Sequence, residues 1–179
     1  ERVKYTASFS LVASSNPCPC GYLNHPKRAC VCTPREVQKY RKRISGPILD
    51  RIDLQVEVPS VDIEELSQNQ TATKFLEPSS SIRNRVSKAR GVQQIRFAAE
   101  TIQTNAEMKN KQIKKYCPLS KEIEQMLARA ANTFNLSARS YFKMIKIART
   151  IADLAESQNI EIPHMAEALQ YRSKFHEES

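Results

Sequence analysis

The chain has 179 residues, 40% of them hydrophobic, which is enough for one good-sized domain or two small ones with a buried core. Its three glycines, Gly21, Gly46 and Gly91, lie too far apart to build a glycine-rich phosphate loop. No run approaches the ~18 apolar residues of a membrane span and no signal peptide opens the chain, so the expectation is no membrane partner and a cytoplasmic location.

The formal net charge is +9, and it is densest from Lys27 to Arg43, where seven basic residues face one acid, Glu36. Such a run favours phosphate-rich partners and salt-sensitive nucleic-acid binding through Lys27, Arg28, Arg35, Lys39, Arg41 and Arg43. A solvated basic face is the plainer alternative.

In chain order, Phe9 to Ala13 is a short apolar run that fits a buried strand of a parallel sheet. Polar Ser14, Ser15 and Asn16 follow at its carboxyl end, where open α/β sheets bind ligands. Thr33-Pro34-Arg35-Glu36 is a helix start with a capping box and a first-turn proline, and the helix should run to about Arg43. Ile52, Leu54, Val56 and Val58 alternate with polar residues as in a second strand, which Pro59 ends. Beyond it no strand signal returns. A polar stretch, Ser67 to Thr73, leads into helices expected over about 79–104, 120–133, 137–157 and 163–174, with Ser137 as a cap and Pro163 at the last start.

The fold expected is thus a partial α/β core over residues 1–60, a linker over 61–78 and an all-α domain over 79–179, mostly helical overall. A lone pair of strands makes no stable parallel sheet, so the first part reads as half of an α/β domain cut inside a larger protein.

Cys18, Cys20, Cys30 and Cys32 form C-x-C-x9-C-x-C between the first strand and the capped helix. Four thiolates in a short loop match tetrahedral Zn²⁺, although paired zinc cysteines more often have two residues between them. Two disulfides or free thiols are the alternatives, the former disfavoured in a cytosolic protein. Cys117 is expected to be packed in a core, and His25 to be exposed rather than a ligand.

The runs FSLVASSNPCPCGYLNHPKRACVC (Phe9 to Cys32), RISGPILDRIDL (Arg43 to Leu54), LSARSYFKMIKIARTIADL (Leu136 to Leu154) and HMAEALQYR (His164 to Arg172) resemble, in order, segments of the ComM-type, magnesium-chelatase-like AAA+ ATPases. The resemblance covers nearly the whole chain, loosely between about 61 and 130. It implies the C-terminal part of a AAA+ core, without the Walker A and B segments, followed by a helical lid. It further implies a hexameric ring whose full-length form uses ATP and Mg²⁺ to drive DNA movement, while this piece alone is inactive.

Carried over residue by residue, the resemblance makes Asn16 a first sensor beside the attacking water or γ-phosphate. Arg51 becomes an arginine finger reaching a neighbouring subunit's ATP, for which an always-charged, forked cation is suited. Arg139 becomes a second, nucleotide-binding sensor at the start of the lid helix. Arg139, Lys143 and Lys146 fall at helical spacing as one basic stripe. A metal-chelatase motor subunit and a non-enzymatic zinc module that binds nucleic acid are the competing functional readings.

Overall fold

The computed structural model describes residues 3, 9–59 and 77–172. Residues 60–76, including the polar stretch Ser67 to Thr73, and 173–179 lie outside the described residues. Two compact units are formed, one ending at Ser45 and the other beginning at Gly46.

In the first unit, a cysteine-bearing loop precedes α1 (Pro34–Arg41). Thr33 Oγ1 accepts the amide of Glu36, and Glu36 accepts the Thr33 amide at 2.8 Å, which satisfies two of the donors that every helix start leaves unpaired. The helix stops two residues short of the expected end.

The second unit opens with α2 (Gly46–Leu49), a single turn closed by Asp50 N to Gly46 O at 2.9 Å. Then follow α3 (Ser79–Arg96), a 3₁₀ turn (Asn105–Glu107), α4 (Asn110–Tyr116), α5 (Lys121–Thr133), α6 (Ala138–Leu154) and α7 (Ile162–Gln170). Helix α6 is the centre: it packs against α3, α4, α7 and the 3₁₀ turn. Met144, Ile145 and Ala148 on α6 meet Leu127 of α5 and Met165 and Ala168 of α7 in one apolar core. Burying the larger of these, Leu127, Met144, Ile145 and Met165, contributes about 1.5–3 kcal/mol each. Cys117 belongs to this core, beside Met108 sulfur at 4.0 Å, as expected.

The helix ends are local chemistry. Ser120 Oγ and Ser137 Oγ accept the amides of Ile123 and Ser140 and so cap α5 and α6. Asn135 and Glu156 take left-handed φ of 48° and 56°, and the amides of Leu136 and Ser157 then turn back to Ala131 O and Ala152 O.

Two expectations need correction. Among the described residues there is no β-strand, so the α/β assignment is not met and the described architecture is helical. Phe9, Leu11 and Val12, like Leu54, Val56 and Val58, are exposed, although their patterns read as strands. A strand exists only through the ladder it makes with a neighbour, and the second segment makes none among the described residues, Gln55 N donating singly to Tyr171 O at 3.1 Å. Helix α3 ends at Arg96, eight residues early. The Gln93 side chain accepts the buried Asn105 amide at 3.1 Å, which draws the chain back across the helix end. No described helix is long and apolar enough to cross a membrane.

Candidate functional site

In the first unit the loop geometry gathers the cysteines. Gly21 has φ +83°, a left-handed conformation that side-chain-bearing residues rarely adopt, and its amide bonds Cys18 O at 3.1 Å. Nδ1 of His25 accepts the amides of Lys27 and Arg28, both at 3.1 Å, and turns the chain back towards Cys30. His25 is thus a turn-former; the cluster consists of the four cysteines alone. Arg28 Nη1 donates to the Tyr22 hydroxyl at 2.6 Å and its guanidinium lies 5.1 Å from the Tyr22 ring centre, bracing the loop.

The sulfurs of Cys18, Cys20, Cys30 and Cys32 all lie within 4.8 Å of one another. Three of the separations are 3.4, 3.7 and 3.5 Å, too long for S–S bonds, and all five cysteines are free. Sulfurs at the corners of a tetrahedron about 2.3 Å from Zn²⁺ stand about 3.8 Å apart, so the quartet fits such an ion. The four could hold a metal ion, and the set is compatible with zinc.

Backbone hydrogen bonds from Tyr22 and Val31 pull the Cys20 thiol down to about 6. Cys32 accepts a backbone bond from Cys20 that favours its thiolate, but desolvation and the adjacent thiols push it up to about 12. Four such thiols cannot all ionise together without a cation between them.

Asn16 is exposed, with its amide against Gly21: a Cβ on that glycine would sit 3.8 Å from it. Lys27, Arg28, Arg35, Lys39 and Arg43 are exposed, Arg41 is half-buried, and the Arg43 guanidinium lies 5.7 Å from the Tyr40 ring centre.

In the second unit two of the sequence motifs meet. The Asp50 carboxylate accepts from Ser140 Oγ at 2.6 Å and from Ser137 Oγ at 3.2 Å, across the N-terminus of α6. The Ser140 hydroxyl first, and then Ser137 with the charges of Lys143 and Arg139, holds Asp50 below the usual carboxylate range despite some burial. Lys143, one turn further on, is 7% exposed, and its ammonium donates to Asp50 O at 3.0 Å and Ile52 O at 2.8 Å. Burial lowers the Lys143 pKa, and the charges of Asp53 and Asp50 offset part of that shift.

Arg51 and Arg139 are both exposed and both adjoin this junction. Arg51 follows Asp50 directly and donates from Nη1 to Pro47 O at 2.6 Å, with no ion pair to Asp50 or Asp53 among the described residues. Arg139, which gains nothing from the dipole of its own helix end, has the Asp50 charge beside it. The expected basic stripe does not form: Lys143 is buried, and Lys146 donates to Ala106 O at 2.8 Å.

Sequence reasoning missed the contacts of Asp50 with Ser140 and of Lys143 with the Asp50 and Ile52 carbonyls, and one buried ionic cluster. Asp153 accepts from Arg96 Nη1 at 2.7 Å and Nη2 at 2.5 Å, from Asn105 Nδ2 at 2.8 Å and from Arg149 Nε at 3.0 Å. Arg149 also donates to the carbonyls of Gln158 and Ser157, so the cluster ties α3, the 3₁₀ turn and the α6–α7 connection together. Its sequence signal was an Arg and an Asp four apart on α6, which any solvated helix also shows.

Residues 76–172 match the family model of the magnesium chelatase subunit ChlI C-terminal region, and residues 1–66 match that of the magnesium chelatase subunit ChlI. The chain belongs to the magnesium chelatase ChlI family. Within the family it is 37% identical over 172 residues to the competence protein ComM of Haemophilus influenzae, covering 96% of this chain and 32% of that protein. It is 36% identical over 174 residues to YifB of Salmonella typhimurium, with the same coverages, and 35% identical to YifB of Escherichia coli. The chain therefore spans about a third of the length of these ChlI-family relatives. The ChlI C-terminal match runs through α3 to α7, the helices packed around α6.

Proposed function

We propose that this chain is the C-terminal portion of a AAA+ ATPase resembling ComM, in which Arg51 is an arginine finger, Arg139 a second sensor and Asn16 a first sensor. Residues outside this sequence supply the phosphate loop and the Mg²⁺-binding carboxylates, so ATP is turned over by the longer protein, as a homo-hexamer acting on DNA in the cytoplasm. Arg51 would offset the charge that develops on the transferring phosphoryl group, and Asn16 would orient the attacking water. The cysteine quartet would hold a structural Zn²⁺, with the basic residues from Lys27 to Arg43 facing nucleic acid.

The observation that carries this reading is the bond between Asp50 and Ser140. It joins the loop bearing Arg51 to the helix bearing Arg139, and both cations stay at the surface where a phosphate could reach them. The ChlI family match favours a second reading, a motor that drives metal insertion.

The test is steady-state ATP hydrolysis by the longer protein, with and without DNA. Stimulation by DNA, and a kcat loss of roughly 1000-fold in Arg51→Ala, is the expected result. Hydrolysis indifferent to DNA would favour the chelatase reading, and wild-type turnover by Arg51→Ala would remove the finger assignment. This chain by itself should show negligible hydrolysis.

A further inference from the structure

The two carbonyls that Lys143 grips belong to Asp50 and Ile52, the residues on either side of Arg51. The main chain at Arg51 is therefore held at both ends by one buried ammonium. The Asp50 side chain is held independently by Ser140 and Ser137 at the start of α6, one and two residues from Arg139.

We infer that Asp50, Ser140 and Lys143 are positioning residues for Arg51, forming a latch that transmits the position of the α6 N-terminus, where Arg139 sits, to the finger. This rests on the reading of Arg51 as a finger. When Arg139 engages a phosphate and α6 shifts, the latch either carries the Arg51 loop along or breaks. The two arginines, Arg139 and Arg51, would thereby be linked through three short contacts.

A purely packing role explains this arrangement poorly. A methionine fills nearly the volume of Lys143 without the cost of desolvating an ammonium, and it would pack as well against the core. What methionine lacks is a donor for the two carbonyls that flank Arg51. Lys143 Nζ carries three donors, and two of them are spent there.

The test uses the longer, hydrolysing protein, with kcat, KM for ATP and melting temperature measured for Ser140→Ala, Lys143→Met, Arg51→Ala and Arg51→Ala/Ser140→Ala. Ser140→Ala should lower kcat about 10-fold with KM changed less than about 2-fold, because a misplaced finger fails in the transition state rather than in binding. Lys143→Met should lower kcat in the same way. In the Arg51→Ala background the Ser140→Ala effect should vanish, since the hydroxyl acts through that arginine.

If Arg51→Ala loses activity while Ser140→Ala and Lys143→Met keep wild-type kcat, the latch is wrong and the finger stands. An equal Ser140→Ala loss with and without Arg51 also removes the latch, as a structural effect. Wild-type kcat in Arg51→Ala removes the finger and the latch with it.

Discussion

Lys143 and Asp50, 93 residues apart in sequence, are joined by a 3.0 Å bond from a buried ammonium to a main-chain carbonyl. That bond, with its companion to Ile52, fastens the short α2 turn to the central helix of the helical unit.

Removing the donor should be costly even though the replacement is apolar. Lys143→Met leaves the Asp50 and Ile52 carbonyls without their partner, at about 1–3 kcal/mol for each group that stays buried. Urea unfolding of this chain should show a lower midpoint with an unchanged slope; no change in midpoint would mean that water replaces the ammonium.

Ser137 caps α6, and aspartate is ordinarily as good a cap as serine. Here the Asp50 carboxylate is already 3.2 Å from Ser137 Oγ. Ser137→Asp would set two carboxylates against each other and should destabilise at least as much as Ser137→Ala, for which about 1 kcal/mol is expected. Thermal unfolding of both variants decides it, and a more stable Asp variant would contradict the geometry.

Asp153 controls how the helical unit responds to acid. Burial on its own would raise its pKa, but the hydrogen bonds from Arg96 and Asn105 and the charges of Arg149 and Arg96 outweigh burial and hold it below the usual range. The folded state then takes up the proton less readily than the unfolded chain. The stabilisation is therefore complete above the unfolded value of about 3.9 and drains away as pH falls through the lower folded value. Asp153→Ala should cost about 3–5 kcal/mol near neutral pH by leaving the buried Arg149 and the half-buried Arg96 uncompensated. Its stability should also fall less steeply than the wild type's in acid, as unfolding at a series of pH values would show.

Protein purified under reducing conditions without chelator should carry one equivalent of zinc, and Co²⁺ substituted for it should give the visible spectrum of a tetrahedral thiolate site. Cys18→Ser, which changes the buried member of the quartet, should lose the metal while the helical unit keeps its own melting transition. Metal content well below one equivalent in the wild-type protein would refute the assignment.

Much of the local structure was legible in the residues themselves. Thr33-Pro34-Arg35-Glu36 and Ser137 specify their helix starts through bonds that span only three residues, and both caps form as written. The cysteine quartet was legible for the same reason, since a loop of 15 residues from Cys18 to Cys32 confines all four sulfurs.

Tertiary structure alone decided the rest. The alternation from Ile52 to Val58 states that a strand would have two faces, but whether it pairs depends on a neighbour, and none stands among the described residues. Asp153 and Lys143 read as ordinary charges on a helix. Burial gives them their weight, because a charge withdrawn from water must find its partners in the fold, and theirs come from elements 48 to 93 residues away as well as from α6 itself. The sequence alone determined where helices begin and which sulfurs share a site, since those contacts are short-range. Which cations stay at the surface beside Asp50 and which is buried beneath it was settled only when α2 and α6 came together.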